Sequence, residues 1–472
     1  MLTISRRRLW PCLAVLLVSS ALAGTVLAQG MEPAPFPDDD AIQAIIEQRV
    51  ASGANAGLVV GVADRNGTRF FSAGKIADEL DSPPTKDSTF EIGSVTKVFT
   101  GTLLAQAVLR RQAALNAPLS DYLPEPLAPR FARITLLELA THSSGLPRMP
   151  TNWKPADPAA PYADYDADLL LAYLSSKEHV DDKGSFAYSN LGFGLLGYLL
   201  ATREKKDYGA LTHDWICRPL GLERTATQLT GSMAKHLAQG HNAGGKTVPL
   251  WEFDALAGCG AIKSTPADLL RFVAANAGLV PAPEELDKAF RLARTPHGDG
   301  PEQGVSVGLG WMLIDLPNAS IVFHDGGTGG YRAFVGFDPV NGKAVALLSN
   351  TSADVSDIGL HLLEPSIPLR QPRTPVALDQ QLLGGYAGSY VVTPGSFVAS
   401  GLAIQISLRD GKLFYSDEDE PEPAEIAPLS RTEFFFRETW DVTLDFLVNE
   451  QHEVVGLALR AGGETVKALK VE

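Results

Sequence analysis

Hydrophobic and polar positions follow different periods in different parts of the chain, and the changes of period divide it. From residue 57 to 63 the run Gly-Leu-Val-Val-Gly-Val-Ala has no polar side chain, as a strand buried on both faces requires. Asp64-Arg65-Asn66-Gly67 then supplies a hairpin turn into Thr68-Arg69-Phe70-Phe71. Two further strands are predicted far downstream, at residues 333 to 337 and 343 to 349, on either side of Asp338-Pro339-Val340-Asn341-Gly342. A sheet fed from both ends of this region leaves its middle as a helical insertion. Apolar residues at helical spacing predict helices over residues 96 to 111, 166 to 176, 191 to 201 and 266 to 277. The large domain, residues 35–363, is therefore expected to be α/β with a mainly helical lobe.

From Glu364 the segment EPSIPLRQPRTPVALDQ holds four prolines and little apolar pattern, which predicts a linker over residues 364–379. Beyond it the period becomes two. Leu402, Ile404, Ile406 and Leu408 alternate with polar residues, as do Val442, Leu444, Phe446 and Val448, and Val455, Leu457 and Leu459. Asp410-Gly411 marks a turn between two such runs. Residues 380–472 are expected to form a small all-β domain, barrel or sandwich.

Composition narrows the partners. The 472 residues carry Lys+Arg 40 against Asp+Glu 55, a net charge of −15, with no long basic run after the first ten residues. Nucleic acid and anionic membrane are poor partners for such a surface. The opening residues 1–28 have a basic head at Arg6, Arg7 and Arg8, an interrupted apolar stretch and Val26-Leu27-Ala28 before Gln29, the pattern of a secretory signal peptide cut after Ala28. Ser5-Arg6-Arg7 leaves a twin-arginine route open. The expected location is thus periplasmic or secreted, with no stable membrane span after cleavage. Export would leave Cys217 and Cys259, whose contexts WICRPLG and LAGCGAI lack metal-ligand spacing. No metal or organic cofactor is expected.

Candidate chemistry begins at Phe90-Glu91-Ile92-Gly93-Ser94-Val95-Thr96-Lys97. A helix starting near Ser94 puts Lys97 almost one turn later on the same face, where the helix end and burial would favour a free amine able to activate the hydroxyl. The tetrapeptide alone is weak, because Ser232-Met233-Ala234-Lys235 repeats it. Tyr188-Ser189-Asn190 and His324-Asp325-Gly326-Gly327-Thr328-Gly329-Gly330-Tyr331 follow it in the chain. With these three words in this order, residues 40 to 360 resemble the class C β-lactamase and penicillin-recognising serine hydrolase family, which includes DD-peptidases and family VIII esterases. The resemblance implies an antiparallel sheet flanked by helices. It implies Ser94 as nucleophile, Lys97 as the group that takes or relays its proton, and Tyr188 as partner base and proton shuttle. Asn190 would hold Lys97 and a substrate amide, and the N–H groups of Ser94 and Gly327 would form an oxyanion hole beside Gly326.

Other readings of single residues stand beside these. Asn190 could simply cap the helix that follows it, His142 has a structural context, and Gly304-Val305-Ser306-Val307-Gly308 matches a rival nucleophile motif that requires a strand-to-helix turn. The sequence also departs from the family. His324 stands where typical class C enzymes have lysine, and no Lys or Arg occurs between Asn350 and Leu369. A substrate carboxylate loses its permanent cation, although Arg332 could supply one. The expected function is an exported acyl-enzyme hydrolase of a β-lactam or D-amino-acid peptide. The alternatives are a carboxylesterase on small esters and a penicillin-binding sensor with little turnover.

Overall fold

Strands from opposite ends of the larger unit meet in one sheet. The computed structural model describes residues 35–471 apart from 126, 177–182, 372, 394–401, 418–422, 438–441 and 462–463, so the predicted signal peptide lies outside the described residues. These form two compact units, residues 35–50 with 55–368, and residues 51–54 with 369–471. The sheet of the first runs in the order Gly67–Gly74, Gly57–Asp64, Lys343–Ser349, Arg332–Asp338, Ala319–Gly327, Met312–Leu316, Val305–Val307, Gly298–Asp299. All its neighbours are antiparallel, with Val60 opposite Leu347 and Val345 opposite Gly336. Gly57–Asp64 is central rather than at an edge, which is why its apolar run is unbroken.

Ser306 lies within this sheet, its strand paired on both sides, and no helix follows it. The strand-to-helix turn that its motif needs is therefore missing.

The helices include Thr96–Leu109, Ala167–Ser175, Asn190–Arg203 and Pro266–Ala277. The first stops earlier than its apolar spacing predicts, because Arg111 turns left-handed at φ 59°. Asn190 does not cap the helix it opens. Ser189 does so, its hydroxyl accepting from the Gly192 N–H at 2.8 Å, which leaves the Asn190 amide free for other work. Thr96–Leu109 is buried from Thr96 through Ala107. Phe99 on it stacks on Phe272 of Pro266–Ala277 at 4.2 Å, and Phe272 meets the edge of Phe290. At Gly101 a Cβ would stand 1.9 Å from the Leu309 carbonyl, so the helix approaches the sheet lead-in as only glycine permits. No described helix is long and apolar enough to cross a membrane.

The second unit contains a closed antiparallel barrel of eight strands in sequence order, from Gly388–Val392 to Glu464–Val471, the last pairing back on the first. Ile404, Ile406, Leu444, Phe446, Leu457 and Leu459 point inward as the period of two predicts. Tyr386, ending the helix Gln380–Tyr386, stacks on Phe446 at 4.3 Å inside this core. Three predicted inward positions are exposed: Leu408 and Val448 at strand ends, and Val455. At Val455 the ladder slips, Leu447 pairing with Gly456 and Val448 with Val454, so the extra residue is extruded as a bulge.

Phe272→Ala should cost about 3–5 kcal/mol of stability, the usual loss for emptying an aromatic core site. Urea unfolding of variant and parent, compared by midpoint, measures it.

Candidate active site

Ser94 occupies a single 3₁₀ turn, Gly93–Val95, immediately before Thr96–Leu109. Two glycines let this turn lie against the end of the Ala319–Gly327 strand. A Cβ on Gly93, whose φ is +48°, would meet the Gly327 nitrogen at 2.7 Å, and one on Gly326 would meet the Ile92 carbonyl at 2.1 Å. The peptide groups of Ser94 and Gly327 are thereby brought to one place.

Lys97, in the first turn of the helix, is completely buried. Its Nζ lies 2.9 Å from Ser94 Oγ, 2.9 Å from Asn190 Oδ1 and 2.8 Å from the Cys259 carbonyl. None of these three oxygens belongs to a carboxylate. Loss of hydration pushes the amine down to about 7, Arg148 adds to the fall, and Cys259 and Asp325 oppose it. At neutral pH a large share of the molecules hold Lys97 as a free base.

Tyr188 completes the group, its hydroxyl turned toward Ser94. Its ring faces Lys97 Nζ at 4.8 Å and the Arg148 guanidinium at 5.1 Å, and stacks on His142 at 4.3 Å. Burial raises the phenol well above its ordinary range, so it rests protonated. His142 is held by the Ser189 N–H, which donates to its Nδ1 at 3.0 Å, and desolvation drives it well below its usual range. It supports the Tyr188 ring as a neutral, buried wall.

His324 sits in the Ala319–Gly327 strand, buried, with Nδ1 facing the Asp325 carbonyl. A ring nitrogen facing a carbonyl is the donor, so Nε2 keeps a bare lone pair. Among the described residues Nε2 has no hydrogen-bond partner. Burial, with the charge of Lys97 nearby, brings the imidazole down to about 3, so it supplies no cation. Arg332, paired in register with Gly327, is half-buried, and its Nη1 fills the space a Cβ at Gly327 would take. Among the described residues that guanidinium reaches the Thr328 and Tyr331 carbonyls, at 3.5 and 3.4 Å. The Asp325 carboxyl is raised to about 6 by burial, with Asp354 adding and Arg332 opposing.

Ser94, Lys97, Tyr188 and Asn190 therefore meet around one point, Gly326 and Gly327 border it, and His324 and Arg332 flank it. Ser232 and Lys235 do not join them; both are exposed on the short helix Gly231–Lys235. Cys217 and Cys259 are buried and unbridged. Sequence reasoning missed the Cys259 carbonyl, which leaves no side-chain signature, and Tyr162, whose hydroxyl accepts from Asn190 Nδ2 at 3.0 Å. It also missed Arg148, six residues after His142 and the only charge within THSSGLPR. Among the described residues no group of His, Cys, Asp and Glu could hold a metal ion.

The β-lactamase family model matches residues 42–362. A β-lactamase of Pseudomonas fluorescens is 28% identical over 326 residues, covering 62% of this chain and 88% of that protein. The D-alanyl-D-alanine-carboxypeptidase/endopeptidase AmpH of Escherichia coli K12 is 27% identical over 344 residues, 69% of this chain and 88% of its own length. A class C β-lactamase structure shares the fold with a TM-score of 0.62 at 22% identity, covering 70% of this chain and 96% of that one.

Gly326→Ala should drive the strand away from the Ser94 turn. Hydrolysis of a chromogenic ester should slow about 10²–10³-fold, as when one oxyanion donor is lost, measured as kcat/KM of variant against parent.

Proposed function

The chain belongs to the β-lactamase family, and from that membership we propose that this serine hydrolase is exported and opens a D-amino-acid peptide amide or a β-lactam through an acyl-enzyme on Ser94. The observation that carries the reading is Lys97, an amine titrating at about 7 and placed 2.9 Å from a serine hydroxyl. Its free base takes the Ser94 proton as Oγ bonds to the carbonyl carbon. The N–H groups of Ser94 and Gly327 receive the developing oxyanion. Tyr188, resting as a phenol, passes its proton to the departing nitrogen as the C–N bond breaks, and recovers one from Lys97. Water then adds to the acyl-enzyme carbonyl, the same groups carry its proton back to Oγ, and the free acid leaves. Asn190, bonded to Lys97 through Oδ1, keeps the amine on Ser94 throughout.

The likeness to AmpH supports a peptide substrate. The third motif does not separate the two amides, because a neutral His324 beside Asp325 loses a lysine's grip on the carboxylate that a β-lactam and a D-Ala-D-Ala peptide both carry. The same neutrality favours a second reading, a carboxylesterase on small uncharged esters. Export rests on the sequence of residues 1–28, and N-terminal sequencing of the mature protein should begin at Gln29; a start at Met1 refutes it.

A chromogenic cephalosporin, a p-nitrophenyl ester and a D-Ala-D-Ala peptide assayed side by side test the reading. The peptide should be the best substrate; an ester that outruns it favours the second reading. Ser94→Ala should abolish all three activities, Lys97→Ala should lower them about 10²–10⁴-fold, and Ser306→Ala should leave them largely intact. The reverse pattern overturns the assignment. Because Lys97 acts as free base, kcat/KM should rise with pH to half its plateau at about 7 and fall tenfold per unit below that.

A further inference from the structure

Two inward-facing series of the barrel end in an opening rather than in its core. Along Glu464–Val471, Val466 and Ala468 are buried, Leu469 is exposed, and the next inward position is Lys470, half-buried. Along Val442–Val448 the buried Leu444 and Phe446 are followed by Val448, which is 42% exposed. Both end residues line one cavity of about 450 Å³, within the roughly 300–1,000 Å³ of small-molecule sites. The helix Gln380–Tyr386 and the loops that carry Arg431 and His452 supply the rest of its lining.

Part of that lining is apolar: Leu382, Val448 and Val454. Lys470 and Arg431 bring positive charge to the same space. The Lys470 amine donates to the Gly385 carbonyl at 2.7 Å, which uses one of its three N–H groups, and burial pushes it below its ordinary value. Among the described residues no carboxylate pairs with Lys470 or Arg431, in a chain where acidic residues outnumber basic ones. Glu453 also lines the cavity, but its Oε2 already accepts from Asn449 Nδ2 at 2.9 Å. A lysine that served only to cap the helix end would need neither a cavity nor a second cation beside it.

The lining is also held in place before any ligand arrives. Asn449 Oδ1 accepts from the Gln451 and Glu453 N–H groups at 3.0 and 2.9 Å, fixing one loop, and the Tyr386 hydroxyl donates to the Arg431 carbonyl, fixing the other. Gly385 keeps the space open. It lines the cavity, its φ is not left-handed, and a Cβ there would meet nothing within 4 Å. Glycine weakens a helix, and neither backbone conformation nor crowding calls for it at this position.

We propose that this cavity binds an amphipathic carboxylate, with Lys470 and Arg431 receiving the head group and Leu382, Val448 and Val454 covering the apolar chain. An arginine fork and an ammonium both suit a carboxylate, and each buried methylene of the chain adds to the affinity. The site lies wholly within the second unit and requires nothing of Ser94.

Calorimetric titration of the full chain with octanoate, acetate and 1-octanol tests the proposal. Octanoate should bind at least about tenfold more tightly than either of the others, because it alone offers both a head and a chain. Lys470→Gln should weaken octanoate binding about tenfold, with acetate and 1-octanol changed far less. Gly385→Leu puts a side chain into the cavity and should abolish octanoate binding, with the far-UV circular dichroism unchanged. No binding of octanoate, or equal affinity for octanoate and 1-octanol, overturns the proposal. Octanoate binding that survives both substitutions overturns it as well, since the ligand then sits elsewhere, the Ser94 site included.

Discussion

A lysine amine stripped of water, with three neutral oxygens for company, is the interaction on which the larger unit turns. An ammonium in that position pays a desolvation penalty that a carboxylate neighbour would offset, and among the described residues Lys97 has none within bonding distance. The protein instead surrounds it with dipoles, which hold the nitrogen in place without holding its proton. Each dipole comes from a different part of the fold. Ser94 arrives on a turn, Asn190 on a helix start freed from capping by Ser189, and Cys259 on a backbone carbonyl.

Much of this was legible in the sequence, and the parts that were not share a cause. Gly57–Asp64 could be read because a central strand leaves no polar position, and the barrel because each strand presents one face to a core. Ser94, Lys97, Tyr188 and Asn190 could be read because a side chain that does chemistry has a type. Val455 could not, since its displacement depends on how two strands register, a relation between segments. The Cys259 carbonyl could not either, because every residue has one. Asn190 shows both sides: its identity pointed equally to a cap and to a ligand of Lys97, and only the neighbouring Ser189 hydroxyl decided between them.

Glycine is the other economy of this site. Gly93, Gly326 and Gly327 lie where a turn, a strand and a guanidinium crowd together, and each would collide with a neighbour if it carried a Cβ. The backbone thus approaches the reacting position more closely than side chains allow. Its conformational freedom in the unfolded chain is the thermodynamic cost.

The eight-stranded ring of the second unit has a consequence for colloidal behaviour. Because its last strand bonds to its first, it closes on itself, whereas an open sheet would present an unpaired backbone rim to other molecules. Such a module adds mass and surface to a chain without adding a template for amyloid-like or edge-to-edge association, even in a crowded compartment.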